Sequence, residues 1–175
     1  MRWAKRDAES MVVVEGEPVK KNLAMHVYPK SDPGHWRRGV EHVRQRLSQF
    51  TGRRLVSVAI DTSTDTAAEV ERAFGGEVEI REVFNDGTQE MVSFPWLMSQ
   101  LIDDSDDVTF YCHAKGCTHS ANQSSHLWCD AMAAACLDYP ALVDWCLKSK
   151  PICGAFRSRQ QVGTSLASFH FAGTW

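Results

Sequence analysis

A chain of 175 residues, 43% apolar and 23% charged, has the size and composition of one globular domain that buries a core without disulfide staples. Its formal charge of −3 gives no long-range attraction for nucleic acid or an anionic membrane, which argues against a nucleic-acid role and leaves room for a local basic pocket. No run of about 18 apolar residues occurs, and the basic start is followed only by the short Met11-Val12-Val13-Val14, so neither a membrane span nor a signal peptide is expected.

Residues 1–21 are charged and lack sustained periodicity, and read as an extension ahead of a domain over 22–175. The first element falls at 23–28, a mostly apolar run closed by Pro29. Trp36, Val40, Val43, Leu47 and Phe50 then recur at helical spacing up to Thr51-Gly52. Residues 55–60 read as a strand, and its exit, Asp61-Thr62-Ser63-Thr64-Asp65, offers N-cap material for a helix over about 66–74. Gly75-Gly76 stops that helix, 78–84 reads as a third strand, and Asn85-Asp86-Gly87 signals a turn. A short helix over about 94–102 and an acidic stretch, 103–107, lead to a fourth strand at 108–112. A polar loop to about 125 precedes helices over about 126–137 and 140–147, and 152–156 and 168–172 read as late strands.

Strands alternating with helices predict an α/β, Rossmann-like open sheet, mostly parallel, with helices on both faces. Such sheets bind ligands at the carboxyl ends of their strands. The chain stops inside or just after an apolar run with no closing helix, which reads as a fragment boundary. The six cysteines all lie in the second half and, with no export signal, are expected to be free thiols in a reducing, cytoplasmic compartment.

The segment richest in chemistry is Cys112-His113-Ala114-Lys115-Gly116, where a strand delivers a histidine, a lysine and a glycine into a loop. Lys115 offers a point charge for phosphate and Gly116 lets backbone approach a ligand closely; the plain alternative is a solvent-facing lysine in a turn. Asp61 stands at the exit of the second strand, with the cap of the next helix as its plain reading. Asp86 and Glu90 follow the third strand and could supply a carboxylate for general-base or metal work, with an ordinary turn as the plain reading of Asp86. His170, between two phenylalanines, is a weaker candidate than these, and a satisfied core histidine is its plain reading.

His113-Ala114-Lys115-Gly116 at a strand exit, Trp128 on the following helix, Ile152-Cys153-Gly154-Ala155, and Phe169-His170-Phe171-Ala172-Gly173-Thr174 occur in an order that resembles the His-Thr/Ala-Lys-Gly group of polysaccharide glycosyltransferases, relatives of the rhamnan-synthesis enzymes. His26-Val27-Tyr28-Pro29, Trp36-Arg37-Arg38 and Phe50-Thr51-Gly52-Arg53-Arg54 also fit, so the likeness spans residues 22–175. It implies a GT-A-like fold, a nucleoside-diphosphate-sugar donor with Asp61 placed to contact its nucleoside, a glycan or small-molecule acceptor, and a chain that normally continues past the aromatic Gly-Thr segment. GT-A enzymes commonly hold Mg²⁺ or Mn²⁺ on an Asp-x-Asp motif after a strand. Asp104-Ser105-Asp106 has those letters but precedes the fourth strand, and reads as a solvated loop. At the expected place stand His113 and Lys115, which are expected to neutralise the diphosphate in its stead.

Three other readings compete. Cys112, Cys117, His119, His126 and Cys129 offer soft ligands for a zinc ion, though without the tight Cys-x2-Cys pairing of structural sites. Cys112 before a glycine-containing loop suggests a cysteine phosphatase, but Thr118 stands where that chemistry needs an arginine. The third is a domain that binds nucleotide or a partner without turnover.

Overall fold

The computed structural model describes residues 19–32, 34–101, 106–114, 123–154, 158–160 and 168–170. Four strands form one sheet: β1 (Lys21–Val27), β2 (Arg54–Ile60), β3 (Glu79–Phe84) and β4 (Val108–His113), in the order β3-β2-β1-β4 with every pairing parallel. The connecting helices are α1 (Trp36–Arg44), α2 (Ala67–Ala73) and α3 (Phe94–Ser99), followed after β4 by α4 (Gln123–Leu137) and α5 (Pro140–Leu147). Central strands β1 and β2 are almost wholly buried, as near-continuous apolar runs should be between two covering layers.

Strand order fixes which face each helix takes. From β1 to β2 to β3 the chain steps one way across the sheet, so right-handed crossovers put α1 and α2 on the same face. From β3 it returns past β1 to β4, stepping the other way, which sends α3 to the opposite face. The core follows this division. Leu23, Met25, Val27, Val56, Val58 and Phe110 pack with Trp36, Val40, Val43, Val70, Phe74 and Leu137 on the α1 side. Ala24 and Leu55 pack with Leu97 on the α3 side.

Local sequence explains the boundaries. Thr66 caps α2 in a reciprocal capping box with Glu69, so the cap is Thr66 and not Asp61. Thr66→Ala is expected to destabilise the fold by about 1 kcal/mol, read as a lower midpoint in urea with an unchanged slope. The periodicity expected to carry the first helix to Phe50 breaks after Arg44, and residues Leu47–Gln49 form a 3₁₀ turn instead. Arg46 leaves the helix there (φ −120°), with its guanidinium on the carbonyl of His42 and the carboxylate of Asp138. Likewise α3 ends at Ser99, short of the expected 102.

The late strands depart furthest from expectation. Residues 152–154 form no strand beyond an isolated bridge at Gly154. Ser158–Gln160 (β5) and Ser168–His170 (β6) pair antiparallel with each other, in a ladder separate from the parallel sheet. Among the described residues no helix is long and apolar enough to cross a membrane.

Candidate functional site

The direction in which the chain steps across the sheet reverses between β1 and β4, and open parallel sheets take ligands at such a point, beyond the carboxyl ends of the strands. Side chains from the strand ends, the connections after them and the helices that follow converge on this edge in three polar groups.

The first centres on Asp61, just past β2. Its Oδ1 accepts the Ser63 amide at 2.8 Å and the Ser63 hydroxyl at 2.7 Å, and its Oδ2 accepts the Tyr28 hydroxyl at 2.9 Å and the Asn85 amide at 2.7 Å. Four donors fill the lone-pair directions of one carboxylate. They hold its pKa far below the usual range, Ser63 contributing most, then Asn85 and Tyr28. Asp61 therefore ties the exits of β1, β2 and β3 into one unit. Backbone bonds strengthen the tie, from Asp65 N to Pro29 O at 2.8 Å and from Ser31 N to Ser63 O at 3.1 Å.

The second group lies on the α3 face at the switch itself. His26 of β1 stands in register beside His113 of β4. The His26 Nδ1 is 2.7 Å from the Oγ of Ser93, the fully buried residue that opens α3. Burial, reinforced by His113 and partly opposed by Glu90, lowers the His26 pKa to about 4, so the ring is neutral at physiological pH. Burial and the Glu90 charge raise the Tyr111 pKa to about 12. Glu90 sits in the 3₁₀ turn Gln89–Val92 ahead of α3, close enough for its charge to be felt by both.

The third group flanks the crevice on the other face, where α1 and α4 begin. His35, at the N-cap of α1, meets His126 of α4 with His126 Nε2 and His35 Nδ1 3.3 Å apart. Below them Asp130 of α4 receives Arg38 and His42 of α1, and Arg46 reaches Asp138. Two helix N-termini thus open side by side next to the end of β4, the geometry that suits an anion.

His113, Asp61 and Glu90, singled out in the sequence, all come to this carboxyl edge. Asp86 does too, as an exposed turn residue whose Oδ1 accepts the Thr88 amide at 2.9 Å, so its geometry is that of the ordinary turn. Lys115 and Gly116 lie outside the described residues. His170 contributes backbone to β6, paired with Ser158. Asp106 precedes β4 at the amino edge, opposite the crevice, and Asp104 and Ser105 lie outside the described residues.

Sequence reasoning passed over Ser93 and His35, and it used His26 and Tyr28 only as part of the resemblance. The available signal was a histidine inside the otherwise apolar run of β1. Cys112 is half-buried near Cys136 and Cys129, and desolvation pushes its thiol pKa well up, the opposite of what phosphatase chemistry needs. Among the described residues no three His, Cys, Asp or Glu side chains come together to hold an ion; Cys117 and His119 lie outside them.

Together these define a Rossmann-like α/β open-sheet domain with polar side chains gathered at the carboxyl ends of its strands. No family model, curated protein or solved structure matches the chain.

Proposed function

We propose that the chain binds a nucleoside-diphosphate sugar in the β1/β4 crevice and transfers its sugar to an acceptor hydroxyl. The observation that carries this reading is the pair of helix N-termini, α1 and α4, opening onto the switch point of a parallel sheet with His35 and His126 between them. Diphosphate belongs there, and Lys115 and Gly116, which follow β4 in the sequence, are the residue types that suit it. The nucleoside then falls toward the exits of β1, β2 and β3, where Asp61 fixes the Tyr28 ring and the Asn85 amide. Glu90 and His113 are left beside the sugar, with Asp86 at the rim. The resemblance of the sequence to polysaccharide glycosyltransferases supplies the reaction type, and fold alone does not.

A thermal-shift screen against UDP, GDP, dTDP and CMP, with and without Mn²⁺ or Mg²⁺, tests the binding. A ligand selective for the native state stabilises it by about 2.7 kcal/mol at a hundredfold excess over its dissociation constant. One nucleotide is expected to raise the midpoint clearly, and Lys115→Ala to weaken that binding by about tenfold or more, as loss of a charged contact does. No shift with any of them would refute nucleotide binding. Binding with no release of sugar from the matching donor would leave a nucleotide-binding domain without turnover.

A further inference from the structure

The contact between His26 and Ser93 is unusual in what it gives up. Ser93 occupies the N-cap of α3, where a serine hydroxyl normally accepts a bond from the first turn of its own helix, yet its side chain makes no such cap. The hydroxyl lies instead against His26 Nδ1 at 2.7 Å, with Ser93 fully buried and His26 6% exposed. One ring nitrogen is therefore fixed from inside the protein.

The other nitrogen is not fully enclosed. Among the described residues three buried side-chain polar atoms go unpaired, His35 Nε2, Gln49 Oε1 and Ser57 Oγ. His26 Nε2 is not one of them, although Ser93 is the ring's hydrogen-bond partner there, so Nε2 keeps contact with solvent at the carboxyl edge. An imidazole anchored at one nitrogen and open at the other, at the switch point of a parallel sheet, is arranged for proton transfer. The groups facing it are Ser93 from α3, Glu90 from the preceding 3₁₀ turn, His113 and Tyr111 from β4, and Ser57, its register neighbour, from β2.

We infer that His26 is the catalytic base of the proposed transfer, accepting at Nε2 the proton of the attacking hydroxyl. This rests on the glycosyltransferase reading. The acceptor oxygen bonds to the anomeric carbon as the bond from that carbon to the diphosphate oxygen breaks. The nucleoside diphosphate leaves with the bonding pair, and the hydroxyl proton passes to His26. Ser93 orients the ring, and Glu90 and the departing diphosphate stabilise the imidazolium that forms. A single displacement of this kind inverts the anomeric configuration.

The test uses the full chain with UDP-glucose, GDP-mannose and dTDP-rhamnose, and water as the acceptor. Release of free sugar and binding of the matching nucleotide are measured in parallel. His26→Gln is expected to lower turnover by about 10²- to 10⁴-fold while nucleotide affinity stays within about threefold, the pattern of an interaction made only in the transition state. Ser93→Ala, which leaves the imidazole in place but unanchored, is expected to lower turnover by about tenfold. In the wild type the acid limb of turnover is expected below pH 5, and the imidazole ¹⁵N signals of His26 are expected to move on adding the bound nucleotide. Turnover of His26→Gln close to wild type, a retained anomeric configuration, or His26 signals indifferent to nucleotide would overturn the assignment. Absence of nucleotide binding by the wild type would instead fell the glycosyltransferase reading, and this assignment with it.

Discussion

Asp61→Ala is expected to destabilise the protein by about 2–3 kcal/mol, a fall in melting temperature of about 5–10 °C for a chain of this size. The carboxylate accepts four hydrogen bonds, and the groups it frees come from three separate connections, Tyr28, Ser63 and Asn85. A hydrogen bond to a charged group contributes about 1.5–3 kcal/mol, but the site meets solvent, so the four do not add. Its pKa is depressed in the folded state, so its stabilisation is present above the unfolded carboxylate value of about 3.9 and is lost as pH falls through the folded value. Asp61→Asn keeps one oxygen and the shape. It is expected to lose about half as much stability and to remove this acid-range dependence. Urea denaturation between pH 3 and 7 measures both. A stability of Asp61→Ala equal to wild type at pH 7 would mean that the loops hold their conformation without the hub. Nucleotide binding is expected to weaken in both variants, because Tyr28 and Asn85 lose their common anchor.

The parallel sheet was legible because each of its strands is a short run bounded by turn residues, and the helices between them carry their own periodicity. Strand order was not legible, since β1 and β4 are 80 residues apart in the chain and nothing in either run names its neighbour. That order creates the crevice, so the sequence could place His113 and Asp61 at strand exits but could not bring His26, Ser93 and Glu90 together. Of the two late runs, the one expected at 168–172 is a strand at Ser168–His170, whereas 152–154 is none, and the polar Ser158–Gln160 that pairs with β6 carries no apolar signal to mark it. The Asp61 cap was a different error. Thr66-Ala67-Ala68-Glu69 carries the capping-box signature outright, and a polar strand exit with several cap-forming residues hid it. The 3₁₀ turn after α1 escaped because Leu47 and Phe50 stay on the core side although the helix has ended, with Phe50 stacked on Phe110 at 6.0 Å between ring centres.

Gly39→Val is expected to destabilise by about 3 kcal/mol and to shrink the nucleotide-induced thermal shift, whereas Gly39→Ala is expected to be near neutral. Gly39 is buried in the middle of α1, where a glycine ordinarily weakens a helix by about 1 kcal/mol relative to alanine. Its presence has a local reason: a Cβ there would stand 3.2 Å from the Cα of Ala114 and 3.5 Å from its Cβ. Ala114 follows directly on His113, and its amide bonds to the His26 carbonyl at 3.0 Å, so α1 rests on the very end of the β1–β4 ladder. For alanine, the gain in helix propensity offsets a shift of a few tenths of an ångström. Valine adds two methyl groups at the same point. The adjoining 40 Å³ cavity, lined by Met25, Cys112 and Met132 among others, has space for part of that volume. The backbone of Ala114 has nowhere to go without displacing His113, and overpacking of this kind costs about 1–3 kcal/mol before the poorer helix propensity of valine is added. Differential scanning calorimetry with and without nucleotide separates the two effects. A Gly39→Val protein with wild-type stability and a full nucleotide shift would show that α1 does not set the width of the crevice. A loss of stability with the nucleotide shift intact would confine the role of Gly39 to packing.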